Sequence, residues 1–215
     1  MNLKSVGLGI SGASSSAQFT IRNGSKTGTL IGTVSIVNNQ SGNAFALTTP
    51  GSFTISPHGA PMTETMTYVP GSLSDSATIT IASNDPMRGS IDIPVSGKGL
   101  PGKLSSPKTL KIVAISAGTA FRNSITPGSA SLTLRNTGKG ILLFAVSAAN
   151  GAFDGGNVTG SIAPGASSAP IVITFAPTEL APTVQTERLQ ITSNSPGTAS
   201  VTTNVTLRGI LKKSN

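Results

Sequence analysis

The chain has 215 residues, 37% of them hydrophobic and only 10% charged, with one tyrosine, seven phenylalanines, no tryptophan and no cysteine. This length allows one or two domains of roughly 100–200 residues, the missing cysteines exclude disulfides, thiol catalysis and Cys-type zinc sites, and no run approaches the ~18 apolar residues of a membrane span. The formal charge of +8 is uneven, because residues 1–100 hold five basic and four acidic side chains whereas residues 101–215 hold ten and three.

In chain order, residues 3–8 read as a first strand and Phe19-Thr20-Ile21-Arg22-Asn23 as the end of a second, turning at Asn23-Gly24-Ser25. Ser56-Pro57-His58-Gly59 is another turn, followed by the strand segment Thr67-Tyr68-Val69-Pro70. Residues 76–81 and 90–95 alternate apolar and polar side chains around the turn Ser83-Asn84-Asp85-Pro86, and period-two alternation marks half-buried strands. Gly, Pro, Asn and Asp in the turns supply the backbone angles that reversals need. Residues 97–102 form a short join, loosened by glycine and stiffened by Pro101.

The series then repeats. Leu132-Thr133-Leu134-Arg135-Asn136 answers residues 19–23, Thr174-Phe175-Ala176-Pro177 answers 67–70, residues 189–196 answer 79–86, and Val205-Thr206-Leu207-Arg208-Gly209 answers 95–99. Four matches in order at nearly one period mean two copies of one domain. Residues 110–115 answer 3–8, while residues 104–109 have no counterpart in the first copy, as expected if the chain belongs to a longer array. No segment has a 3.6-residue apolar period, so helix should be nearly absent. The expected fold is all-β, two tandem immunoglobulin-like antiparallel sandwiches over residues 1–99 and 100–215. Phe45, Tyr68, Ile79 and Ile81 are expected in one core, and Phe153, Phe175, Leu189 and Ile191 in the other.

The second copy carries Leu132-Thr133-Leu134-Arg135-Asn136-Thr137-Gly138, Ile162-Ala163-Pro164-Gly165, Ile173-Thr174-Phe175-Ala176-Pro177 and the 189–196 segment. These residues resemble the bacterial choice-of-anchor D repeat, related to the ASH (Hydin-type) and PapD-like immunoglobulin folds. The first copy matches less tightly, with His58 inside its Pro57-Gly59 pair and Tyr68 in place of Phe. The resemblance implies a repeating spacer or adhesive module and names no ligand.

Catalysis needs a base near a nucleophile, and the only histidine, His58, sits between Pro57 and Gly59 in a turn, where an exposed turn residue is the expectation. The seven carboxylates are scattered, and Asp85 reads as a turn cap rather than one of the six or more oxygens that calcium takes. No catalytic, cofactor or metal residues are assigned, and the chain is read as no enzyme. A basic group of Lys98, Lys103, Lys108, Lys111, Arg208, Lys212 and Lys213 gathers on the join and on the first and last strands of the second copy. It reads either as a contact for a polyanion or as protection of an exposed sheet edge. Nucleic acid is disfavoured, because no aromatic platform accompanies the charge.

The expected function is a non-catalytic structural or adhesive module of a larger bacterial surface or secreted protein, with a protein or surface glycan as partner. Alternatives are a virion or appendage decoration protein and an accessory binding domain of a secreted polysaccharide-acting enzyme. Residues 1–7 carry Lys4 and no continuous apolar stretch, so they are not an export signal. An extracellular or cell-surface location is expected with that signal outside this chain, or else a place on a virion surface.

Overall fold

A computed structural model describes residues 1–39, 43–117, 124–178 and 184–213. The chain divides into two compact units, Met1–Leu100 and Pro101–Asn215. The first contains β1 (Val6–Gly7), β2 (Ser15–Ile21), β3 (Leu30–Val37), β4 (Phe45–Leu47), β5 (Gly51–Ile55), β6 (Met62–Tyr68), β7 (Asp75–Ser83), β8 (Ser90–Gly97) and β9 (Gly99–Leu100). One antiparallel sheet has the order β5-β3-β7-β8 and the other β2-β6-β4. Alternate side chains of both sheets turn inward and meet in one core around Val34, Phe45, Phe53, Met66, Tyr68, Ile79 and Ile81. The result is an immunoglobulin-like antiparallel β-sandwich.

Tyr68 is wholly buried and stacks on Phe45 with ring centres 4.9 Å apart. Its hydroxyl donates to Asp75 Oδ2 at 2.8 Å, an oxygen that also accepts the backbone N–H groups of Gly71 at 3.1 Å and Ser72 at 3.3 Å. Burial first, then this hydrogen bond and the carboxylate charge, push the phenol well above its ordinary range. A folded pKa raised above the unfolded value gives stability that is complete below the unfolded pKa, about 10, and fades as pH rises toward the folded one. Alkaline titration should therefore lower the melting point of the first unit progressively above about pH 10, and Tyr68→Phe should remove that component of the slope. An unchanged slope in the variant would contradict the assignment.

The second unit contains β10 (Leu104–Ser105), β11 (Thr109–Ala117), β12 (Ser124–Thr126), β13 (Gly128–Leu132), β14 (Arg135–Asn136), β15 (Leu142–Ala148), β16 (Phe153–Ile162), β17 (Ile171–Phe175), β18 (Val184–Asn194) and β19 (Val201–Lys213). Its ladder runs β12-β11-β19-β18-β15-β16-β17-β13, with β10 and β14 paired apart. One strand crosses between the layers. β16 pairs with β15 from Gly156 onward and with β17 over Phe153–Gly155, and it bends where Gly155 and Gly156 take φ of 117° and 79°. The ladder thereby folds over as a second sandwich around Phe153, Phe175, Leu189 and Ile191. All eight expected core residues are buried.

The strand register corrects two of the sequence matches. Asp75 pairs with Gly97, and its counterpart Gln185 pairs with Gly209, so Gly97 corresponds to Gly209 rather than to Leu207. Both turns leave seven residues beyond their last register pairs, Ala82 with Ser90 and Ser193 with Val201, so the two extra residues lie in the strands, where β18 and β19, counted from Gln185, make one pair more. The aromatic core explains the shift: a Cβ on Gly97 would overlap the Tyr68 ring, and one on Gly209 the Phe175 ring. Glycine is needed beneath each ring. Likewise Asn2 bridges Ser96 in parallel where Lys111 pairs with Arg208, which places Met1, not Leu3, at the position of Leu110.

Residues of the join are hydrogen-bonded each within its own unit. Gly97 ends β8, β9 pairs in parallel with β1, and the Pro101 carbonyl accepts the N–H groups of Lys139 and Gly140 within the second unit.

Candidate interaction surface

The first and last strands of the second unit, β11 and β19, run parallel over eight register pairs from Thr109 with Thr206 to Ser116 with Lys213. This pairing puts Lys111 directly beside Arg208, both exposed, with exposed Thr186 of β18 next in the same row. Two residues back, Thr109, Thr206 and Arg188 form a second outward row, all exposed. On the other side lie Val113, Ile210 and Val184, and then Ile115 beside Lys212. Val113, Ile115 and Val184 are 36%, 47% and 41% exposed, so the apolar band between the cations faces water.

Like charges directly opposite on neighbouring strands repel, with Cβ atoms about 5 Å apart. Lys111 and Arg208 have no acid in their rows, and the single acidic residue of β11, β18 and β19 is Glu187. The Glu187 carboxylate instead accepts the Asn150 N–H at 2.8 Å. At the matching place in the first unit, Ser96 Oγ donates to Asn2 Oδ1 at 2.6 Å. A neutral hydrogen-bonded pair thus fits this position in one copy, and two cations occupy it in the other.

Of the other basic residues singled out in the sequence, Lys108 is exposed just ahead of β11, where its carbonyl accepts the Thr206 N–H. Lys213 pairs by register with Ser116. Lys103 is held on the segment packed against β14, off the β11–β19 ladder, and its N–H goes to Asn136 Oδ1. Lys98 is exposed in the first unit, its carbonyl accepting the Val6 N–H. Arg188 was missed by sequence reasoning, because only the antiparallel register of β18 with β19 brings it beside Thr206. Among the described residues β12 flanks β11 only at Ile115–Ala117 and Gly128 packs on the backbone of Val113 and Ala114, so residues 109–112 form a sheet margin and the edge-protection reading of Lys108 and Lys111 keeps its basis.

His58 is exposed in a turn with φ of 54°, and Asp85 Oδ1 accepts the Met87 N–H at 2.9 Å as a turn cap. No group of three or more His, Cys, Asp or Glu residues suited to a metal ion occurs among the described residues.

No protein-family model matches the chain, and no curated relative matches it. Solved structures with similar folds include a Porphyromonas gingivalis W83 protein, 15% identical, covering 98% of this chain and 96% of its own at a TM-score of 0.38. The ASH/PapD-like domain 7 of human CEP192 is 13% identical, covering 53% of this chain and 87% of its own at a TM-score of 0.40. The periplasmic chaperone SfaE is 13% identical, covering 98% and 96% at a TM-score of 0.32.

Proposed function

We propose that the chain is a non-catalytic tandem immunoglobulin-like module of a bacterial surface or secreted protein, whose second unit meets an anionic polymer through the outer face of β11, β19 and β18. One observation carries the reading: Lys111 and Arg208 stand side by side on a face of threonines without a neutralising acid in their rows. That arrangement costs folding energy, and an anionic partner relieves it. Rows of hydroxyls and cations, with an apolar band between them, suit phosphate-rich or acidic glycan chains. The choice-of-anchor D resemblance supports the wider role as a spacer or adhesive unit.

Exposed cations act through screened Coulomb forces, with a Debye length of about 8 Å at physiological salt. The full chain should be retained on a heparin-like or phosphate-bearing matrix at low salt and released steeply at moderate salt. Replacing Lys111, Arg188, Arg208 and Lys212 together by Gln should abolish retention. The melting point should stay level or rise, since exposed charges add little to stability and a repulsive pair is removed. Retention of the variant, or binding that persists in high salt, would overturn the proposal and leave edge protection as the role of these residues.

A further inference from the structure

In the second unit the incoming segment is built into the wall of the sandwich. Asn136 is fully buried. Its Nδ2 donates to the carbonyls of Gly140 at 2.8 Å and Ile162 at 2.9 Å, and its Oδ1 accepts the N–H groups of Gly138 at 2.9 Å and Lys103 at 3.0 Å. Leu104 and Ser105 pair antiparallel with Asn136 and Arg135, Lys103 O accepts the Thr137 N–H at 2.8 Å, and Leu104 packs on the core. Gly102 lies against the backbone of Ile141 and Leu142.

The first unit has the same asparagine without the segment. Asn23 Nδ2 donates to the carbonyls of Gly28 at 2.8 Å and Ile55 at 2.9 Å, and its Oδ1 accepts the Ser25 N–H at 2.9 Å. It is only partly buried. Where residues 102–105 lie in the second unit, the first has an open groove of about 370 Å³ lined by Arg22, Asn23, Ser25, Thr29, Leu30 and Asn84. Arg22 and Asn23 answer Arg135 and Asn136, and Thr29 and Leu30 answer Ile141 and Leu142, as the pairing of β3 with β7 and of β15 with β18 requires. The direction of entry is also set. Met1 stands at the place of Leu110, so nine residues equivalent to 101–109, placed ahead of Met1, lead into the groove.

We propose that this groove is an acceptor for an extended peptide with the chemistry of residues 101–105, running toward the first strand as those residues run toward β11. The peptide supplies a backbone N–H to the second lone pair of Asn23 Oδ1, a leucine-sized side chain against the core margin, and a glycine over Thr29 and Leu30. It adds an antiparallel pair along Arg22 and Asn23, the ordinary mode of peptide capture at a sheet edge. Ser25 marks the narrow point. Its counterpart is Gly138, where a Cβ would run into the backbone of residues 101–103, so the peptide passes Ser25 displaced outward from the path of those residues, and Ser25→Gly opens that path.

The test places Pro-Gly-Lys-Leu-Ser-Ser-Pro-Lys-Thr ahead of Met1 in the full chain and compares it with a Gly-Ser extension of equal length. The matched extension should raise the melting point of the first unit by about 4 °C or more and slow amide exchange over residues 22–25 by about tenfold or more. Ser25→Gly should enlarge both effects, and an extension with aspartate in place of its leucine should cancel them. If the matched and Gly-Ser extensions behave alike, or the aspartate form stabilises equally, the groove is not an acceptor.

Discussion

Asn136→Ala should lower the stability of the second unit by about 3–5 kcal/mol, and Asn23→Ala should cost the first unit only about 1–2 kcal/mol. Asn136 satisfies two backbone carbonyls and two backbone N–H groups from three separate places in the chain, in full burial. Removing its amide leaves these groups dry and unpaired, and the penalty of an unsatisfied buried group exceeds the net worth of a hydrogen bond. Asn23 makes three such bonds at a partly exposed site, where water replaces what alanine removes. At about 4 °C per kcal/mol for a domain near this size, the two melting shifts should differ by several degrees. Equal shifts would mean that burial of the asparagine by residues 102–105 contributes nothing.

Gly209→Val and Gly97→Val should each unfold their own unit or cost it more than about 4 kcal/mol. Both glycines lie beneath an aromatic ring that anchors the core, Phe175 in one unit and Tyr68 in the other, and both rings are packed against a second phenylalanine. A Cβ there meets the ring itself, and the neighbouring phenylalanine already fills the space on another side of that ring. Rescue gives the sharper measurement. Gly209→Ala combined with Phe175→Leu should be less damaging than the sum of the two single changes by about 1 kcal/mol or more, the coupling expected of groups in direct contact. Strict additivity would show that the glycine is there for some reason other than the ring.

These glycines show how far the sequence could be read. The repeat and both aromatic cores were legible, because a period of two places Tyr68, Ile79, Phe175 and Ile191 inward whatever the neighbouring strand. Register between strands is a different quantity. A match of short motifs aligned Gly97 with Leu207, and the one extra register pair of β18 with β19 became visible only once Asp75 and Gln185 showed what each strand faces. The basic surface was half legible for the same reason. Lys111 and Arg208 were expected to gather if the first and last strands were neighbours, which they are, whereas Lys103 is held off that ladder and Lys98 belongs to the first unit. Asn136 read as the residue before a turn, since the segment that buries it comes from 33 residues earlier.

The parallel pairing of β11 with β19 also decides how the second unit answers a pull. Strands that run the same way present their outer ends on opposite sides of the ladder, so tension between residue 109 and residue 213 drags them past each other lengthwise. Their hydrogen bonds are slanted but evenly spaced, and all eight register pairs bear the load together instead of opening one at a time. The first unit has only the Asn2–Ser96 bridge and the two pairs of β1 with β9 in this place. Stretched as one chain, the molecule should yield at its first unit before its second, a ranking of strength set by the length of one seam.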